Sequence, residues 1–166
     1  MMTFDIPDYM VAEGITDVRW ENSVFKNLKT LGPKQKGKRF EQIIPHILTQ
    51  MGENVGKRIS SEHDFSVDGI SCELKASTTT QGTDDQYSFL QIRPDQDYKV
   101  LVLATFCFDG TIEIYKVPKE DVLKMIEDKV FAKQHGGNKA NSRTFCYNGT
   151  MAKFKDYLWY TGKFEG

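Results

Sequence analysis

The sequence predicts an α/β (α+β) fold, a central mixed β-sheet flanked by helices. Three observations carry this. A helical apolar repeat runs through "FEQIIPHILTQMG", where Phe40, Ile43, Ile44, Ile47, Leu48 and Met51 share one face. The period then switches to strand alternation in "KRISSEHDFSV" and "ISCELKAS", joined by Asp68-Gly69. Finally, "YKVLVLATFCF" is a near-continuous apolar run, the signature of a strand covered on both faces.

Taken in order, "ITDVRWENSVFKNLKTLG" predicts a first amphipathic helix, with Val18, Val24, Phe25, Leu28 and Leu31 on its apolar face and Gly32-Pro33 as its stop. "GPKQKGKR" reads as a turn or loop carrying Lys34, Lys36, Lys38 and Arg39. A second helix is expected over 38–51, with a kink at Pro45 and a stop at Gly52. Strands are expected near 55–61, 62–67 and 70–77. Asp-Gly between alternating runs is the strongest short hairpin signal. The polar "STTTQGTDDQ" is a loop, and "QYSFLQI" reads as a short helix near 85–92. The apolar strand follows over 98–108, and a second Asp-Gly at Asp109 and Gly110 turns it into "TIEIYKV". Pro118 opens a helix that turns Val122, Met125, Ile126 and Val130 inward. "FAKQHGGNKANSR" is a loop, "TFCYNG" a strand and "TMAKFKDYLWY" a terminal helix.

The 166 residues suit one domain with a real core, 39% hydrophobic and 27% charged. A net charge of −1 announces neither a nucleic-acid binder nor a membrane-surface protein, so any basic surface must come from local clustering. No apolar run reaches bilayer length and no secretory pattern opens the chain. Cys72, Cys107 and Cys146 are odd in number and widely spaced, against a disulfide or zinc framework. A reduced, cytoplasmic protein is the expectation, with no membrane partner.

With Asp68-Gly69 as the loop, Val67 faces Ile70, Ser66 faces Ser71, Phe65 faces Cys72, and Asp64 faces Glu73. One face of the hairpin is then apolar, and the other carries Asp64, Glu73, Glu62 and Lys75. Opposed like charges destabilise a hairpin unless something sits between them. A divalent cation does this well, since Mg²⁺ takes one or two carboxylates, waters and substrate phosphates. Lys75, two residues beyond Glu73, is placed to orient a metal-bound water or to neutralise phosphate charge. Two carboxylates, a metal and a lysine are equipment for hydrolysing a phosphodiester.

At these residues the sequence resembles the PD-(D/E)XK nuclease superfamily, the restriction-endonuclease-like fold. The acid on the first strand is Asp64 and the triplet is Glu73-Leu74-Lys75. His63, not proline, precedes Asp64. The resemblance covers roughly residues 38 to 108 as a nuclease core, with the hairpin, helix and C-terminal elements of 109–166 as additions for DNA recognition. It implies a restriction-endonuclease-like core of helix, three-stranded meander, helix and strand. Asp64 and Glu73 hold Mg²⁺, which Mn²⁺ can replace. Lys75 serves the attacking water, and Glu41 on the first core helix is a further metal-site acid.

The implied activity is a Mg²⁺-dependent endodeoxyribonuclease on double-stranded DNA, most like a small type II restriction endonuclease or the nuclease subunit of one. One site per domain implies a homodimer or a larger partner subunit. The alternatives are a structure-selective nuclease of the Holliday junction resolvase or repair type, and a non-catalytic DNA-binding module of the same fold. At residue level, Asp68 is a rival metal acid, and Glu62 a cross-strand partner for Lys75. His63 reads as a core or edge histidine. Two basic stretches are candidates for DNA. Lys36, Lys38 and Arg39 are assigned to backbone phosphates. Gln134, His135, Asn138, Lys139 and Arg143 are assigned to directional contacts with bases and phosphates.

Overall fold

The computed structural model describes residues 3, 5, 17–57, 60, 62–135 and 143–166. It is a mixed α+β chain built around a mixed sheet of order β1-β2-β3-β5-β6-β9. The strands are β1 (Val55–Gly56), β2 (Phe65–Val67), β3 (Ile70–Thr78), β5 (Val100–Phe106), β6 (Thr111–Pro118) and β9 (Leu158–Lys163). All pairs are antiparallel except β3 with β5, which run parallel with Cys72 beside Val100 and Thr78 beside Phe106. A second sheet, β4-β8-β7, is made of β4 (Tyr87–Ile92), β7 (Ala132–Lys133) and β8 (Phe145–Gly149). The helices are α1 (Lys26–Thr30), α2 (Pro33–Gln50) and α3 (Lys119–Glu127).

Two cores lie on opposite faces of the six-stranded sheet. On one, α2 presents Phe40, Ile44 and Leu48 to Phe65, Cys72, Leu74, Val102 and Ala104. On the other, Leu101, Leu103, Tyr115 and Val117 meet Phe89, Ile92, Phe145 and Tyr147 of the second sheet and Val122 of α3. Every residue of β5 is buried, as its apolar run requires. The sheet is thus covered by helices on one face, and mainly by a second sheet on the other.

The expected hairpin forms with the expected register, Val67 to Ile70, Ser66 to Ser71 and Phe65 to Cys72. Asp68 and Gly69 both take positive φ, 52° and 77°, as a type I′ turn requires. The flanking expectations need correction. The segment 85–92 is strand β4, not a helix. Tyr87 and Phe89 alternate with Ser88 and Leu90, a period-2 pattern, and a register shift then returns Ile92 to the core. "GPKQKGKR" is the first turns of α2 rather than a loop, with Pro33 at the start of the helix, where its missing amide costs nothing. The first predicted helix is split into a 3-10 turn, Val18–Trp20, and α1. Asp17 caps the first piece, and the Ser23 hydroxyl accepts from Phe25 N–H before the second. The terminal helix is a 3-10 turn, Ala152–Tyr157, followed by β9, whose Trp159, Tyr160 and Thr161 favour strand. Among the described residues no helix is long and apolar enough to cross a membrane.

Candidate active site

The hairpin strands part company soon after the turn. Pairing in the β2–β3 ladder stops at Phe65 and Cys72. Asp64 then gives its backbone N–H to Cys72 at 2.9 Å, and its side chain turns back to accept the Leu74 amide at 2.7 Å. The carboxylate therefore occupies the place where a next ladder carbonyl would sit. Beyond this fork, among the described residues, no strand pairs with the β2 side of β3.

Glu73 and Lys75 sit just past the fork, on the face of β3 opposite Cys72 and Leu74. Glu73 is only 8% exposed. Its Oε1 lies 3.4 Å from Lys75 Nζ, and Lys75 is half-buried. Burial, then the neighbouring charge of Asp64, pushes the Glu73 carboxyl up to about 7; Lys75 pulls it down and Glu41 adds a further upward push. Asp64, Lys75 and Glu41, the other three predicted site residues, therefore all act electrostatically on Glu73. Glu41 arrives from α2, one turn before Pro45, and its carboxylate is exposed.

Two nearby features escaped the sequence reading. Tyr98 is 3% exposed, and its hydroxyl has no hydrogen-bond partner among the described residues. Burial, then the charges of Glu73 and Asp95, pushes its phenol upward. Lys29 of α1 is the second: it gives hydrogen bonds to Thr79 O at 2.9 Å and Thr78 Oγ1 at 3.2 Å, near the far end of β3. Neither is marked by a motif. Tyr98 looks like one more aromatic before an apolar strand, and Lys29 like a solvated lysine on a helix.

The remaining predicted residues are placed as follows. Lys36 is half-buried on α2, whereas Lys38 and Arg39 are exposed. Gln134 uses its side-chain carbonyl to accept Gln91 N–H at 2.6 Å, holding Gln91 in a left-handed conformation with φ 57°. Arg143 pairs with Asp95 at 2.9 Å. His135 is half-buried, and Asn138 and Lys139 lie outside the described residues. Glu62 accepts the Asp97 amide at 2.7 Å instead of pairing with Lys75. His63 is buried beside the Ser60 hydroxyl, 3.2 Å from Nδ1, as a core histidine. Asp68 is exposed in its turn. A groove of about 670 Å³ beside α2 and β9, lined by Leu28, Ile43, Ile47 and Phe164, includes none of the four site residues.

Among the described residues no group of three His, Cys, Asp or Glu side chains is drawn tightly enough to hold a metal ion. The site offers a carboxylate pair with a third acid at longer range. That donor set, hard oxygens carrying excess negative charge, suits Mg²⁺ with water and phosphate completing its shell. No family model matches the chain, and no match to a curated protein was found.

Proposed function

We propose that this chain is a metal-dependent endodeoxyribonuclease of the PD-(D/E)XK type, hydrolysing phosphodiester bonds of double-stranded DNA, most similar to a small type II restriction endonuclease. The observation that supports the reading is the grouping of Asp64, Glu73 and Lys75 at the fork between β2 and β3, with the charge of Glu41 acting on Glu73 from α2. The parallel strand β5, following an antiparallel β1-β2-β3 unit, also agrees with such a core. The β4 strand stands where that family's second core helix is expected.

In this reading Asp64 and Glu73 hold Mg²⁺ or Mn²⁺, with Glu41 in reserve. When bound, the ion supplies positive charge to the phosphate and lowers the pKa of its water. The chain's own residues do the rest. Leu74 N–H fixes the Asp64 carboxylate through Oδ2, so Oδ1 is the oxygen that bond leaves for a cation. Lys75 has three donors: one is directed at Glu73, and the others are available to the attacking water or a non-bridging phosphate oxygen. Burial of Glu73 lowers the local dielectric, which strengthens each of these contacts.

The test is incubation of the purified protein with plasmid, phage and branched DNA, with Mg²⁺ or with EDTA. Discrete bands from linear or plasmid DNA, lost in EDTA and in Glu73→Gln, are expected. Cleavage confined to branched DNA would redirect the reading to a junction nuclease. Absence of cleavage with retained DNA binding would redirect it to a binding module.

A further inference from the structure

Helix α2 packs over the middle of the six-stranded sheet, and the outer strands β6 and β9 run on beyond it. The groove of about 670 Å³ lies between them, walled by Ile43 and Ile47 of α2, by Leu28 of α1 and by Ile112 and Ile114 of β6. Val24, Met51 and Phe164, three large apolar side chains left exposed, also line it. That volume is the size of a small-molecule site, and exposed apolar surface gathered in a concavity marks a binding surface.

Gly162 is an independent observation. It lines the groove from β9, in register with Ile112, so a side chain there would enter the groove. Its φ lies outside the left-handed region, and a Cβ placed on it meets nothing within 4 Å. The backbone therefore does not require glycine at this position. A glycine inside a strand weakens the strand, and it marks a place where another molecule approaches the backbone closely.

The two ends of the groove differ in charge. Arg39 precedes Phe40, whose ring lies 4.8 Å from that of Phe106, and Phe106 is in register with Ile112, the partner of Gly162. Arg39, with Lys163 next to Gly162, makes this end basic. At the other end, near Met51, Tyr160 gives its hydroxyl to Glu53. Arg39 and Met51 both line the groove, which therefore runs about 18 Å along α2 at the helical rise per residue.

We propose that this groove binds a linear amphipathic carboxylate, with its head on Arg39 and its aliphatic body running over Gly162 towards Met51. A guanidinium and a carboxylate pair through two parallel hydrogen bonds, and Arg39 directs one of its five donors at Gln42, at 3.5 Å. The Glu53 carboxylate at the far end disfavours the reverse orientation. The aliphatic body displaces water from Ile43, Ile47 and Ile112. None of the four candidate site residues lines the groove, so the proposal stands apart from the nuclease reading.

Isothermal titration of the full chain tests this with three probes of one chain length: decanoate, 1-decanol and decyltrimethylammonium, each below its micelle-forming concentration. Decanoate should bind in one-to-one ratio and more tightly than the alcohol, and the cation should not bind. Gly162→Leu fills the groove without removing a side-chain contact and should abolish binding, with circular dichroism checking the fold. Arg39→Gln changes an exposed residue and should weaken decanoate about tenfold while leaving 1-decanol unchanged; it decides the matter if Gly162→Leu does not fold. Equal affinity for acid and alcohol in the wild type, or undiminished decanoate binding in folded Gly162→Leu, overturns the proposal, as does a wild-type chain that binds no probe. Sedimentation of the wild type as a dimer that Gly162→Leu dissociates would make the groove an interface between copies, and would likewise overturn it.

Discussion

Asp64 accepts the amide proton of Leu74 at 2.7 Å, so one candidate site acid is tied to the backbone of the strand that carries the other. The bond bridges the fork in the sheet and fixes the carboxylate where its charge acts on Glu73.

Asp64 therefore has two separable roles. Asp64→Ala should cost about 1–2 kcal/mol of stability, because Leu74 N–H loses a charge-assisted bond. Asp64→Asn keeps an acceptor for that amide and should stay within about 1 kcal/mol of the wild type. Both should abolish metal-dependent cleavage. Urea unfolding beside a plasmid assay separates the effects, and an active Asp64→Asn enzyme would remove Asp64 from the metal site.

Glu73 should make stability depend on pH. Its folded carboxyl titrates near 7 against an ordinary 4.5, so the folded chain holds a proton that the unfolded chain has already released. Between those values the unfolded state binds fewer protons, and stability falls as pH rises, by about 3 kcal/mol at most. Below the ordinary value the penalty is absent. Glu73→Gln should flatten the fall and be the more stable protein at pH 8. Mg²⁺ should raise the wild-type melting temperature at pH 8 and leave Glu73→Gln nearly unmoved. Thermal melts of both proteins at pH 5 and pH 8, with and without Mg²⁺, check these outcomes; a wild-type stability that rises over this window contradicts the assignment.

The turn distinguishes Asp68 from the site acids. Its φ of 52° suits Asp or Asn, and Asp68→Asn should fold and cut normally. Asp68→Val places a β-branched residue in the left-handed region and should cost about 1–2 kcal/mol. A folded but inactive Asp68→Asn protein would make Asp68 the metal acid in place of Asp64.

Arg143 and Asp95 form an exposed pair, and such pairs contribute little. Arg143→Ala should change stability by less than about 0.5 kcal/mol. If Arg143 leaves Asp95 for a base edge, cognate binding should weaken by about 1–3 kcal/mol while non-cognate binding changes less. Equal losses on both duplexes would make Arg143 a phosphate contact.

The part of the site legible in the sequence was the part set by local geometry. A two-residue turn and strand alternation bring Asp64 and Glu73 to one region and put Lys75 on the same face, with no tertiary knowledge required. The Leu74 bond was not legible, because it depends on where β2 leaves the ladder. Strand β4 was misread because "QYSFLQI" is short and its alternation is broken at Gln91, and only pairing with β8 settles the choice. The lysines of 34–39 looked like loop because glycine and proline punctuate them, yet proline at the first position starts a helix. Lys29 was invisible for a different reason: its meaning comes from Thr78 and Thr79, about 50 residues away in sequence.

The parallel pairing of β3 with β5 bears on the order of assembly. Strand β3 meets β2 across two turn residues, but Lys99 bonds to Ser71 at a separation of 28 residues. Hairpins close in about 1–10 μs, and contacts distant in sequence form more slowly. The two acids should therefore be juxtaposed before β5 docks, ahead of the packing that buries Glu73. Refolding should then be only modestly faster below pH 5 than at pH 8, with unfolding the more affected rate, because the burial that most raises the Glu73 carboxyl comes with the later packing, and stopped-flow chevrons at the two pH values would measure the difference.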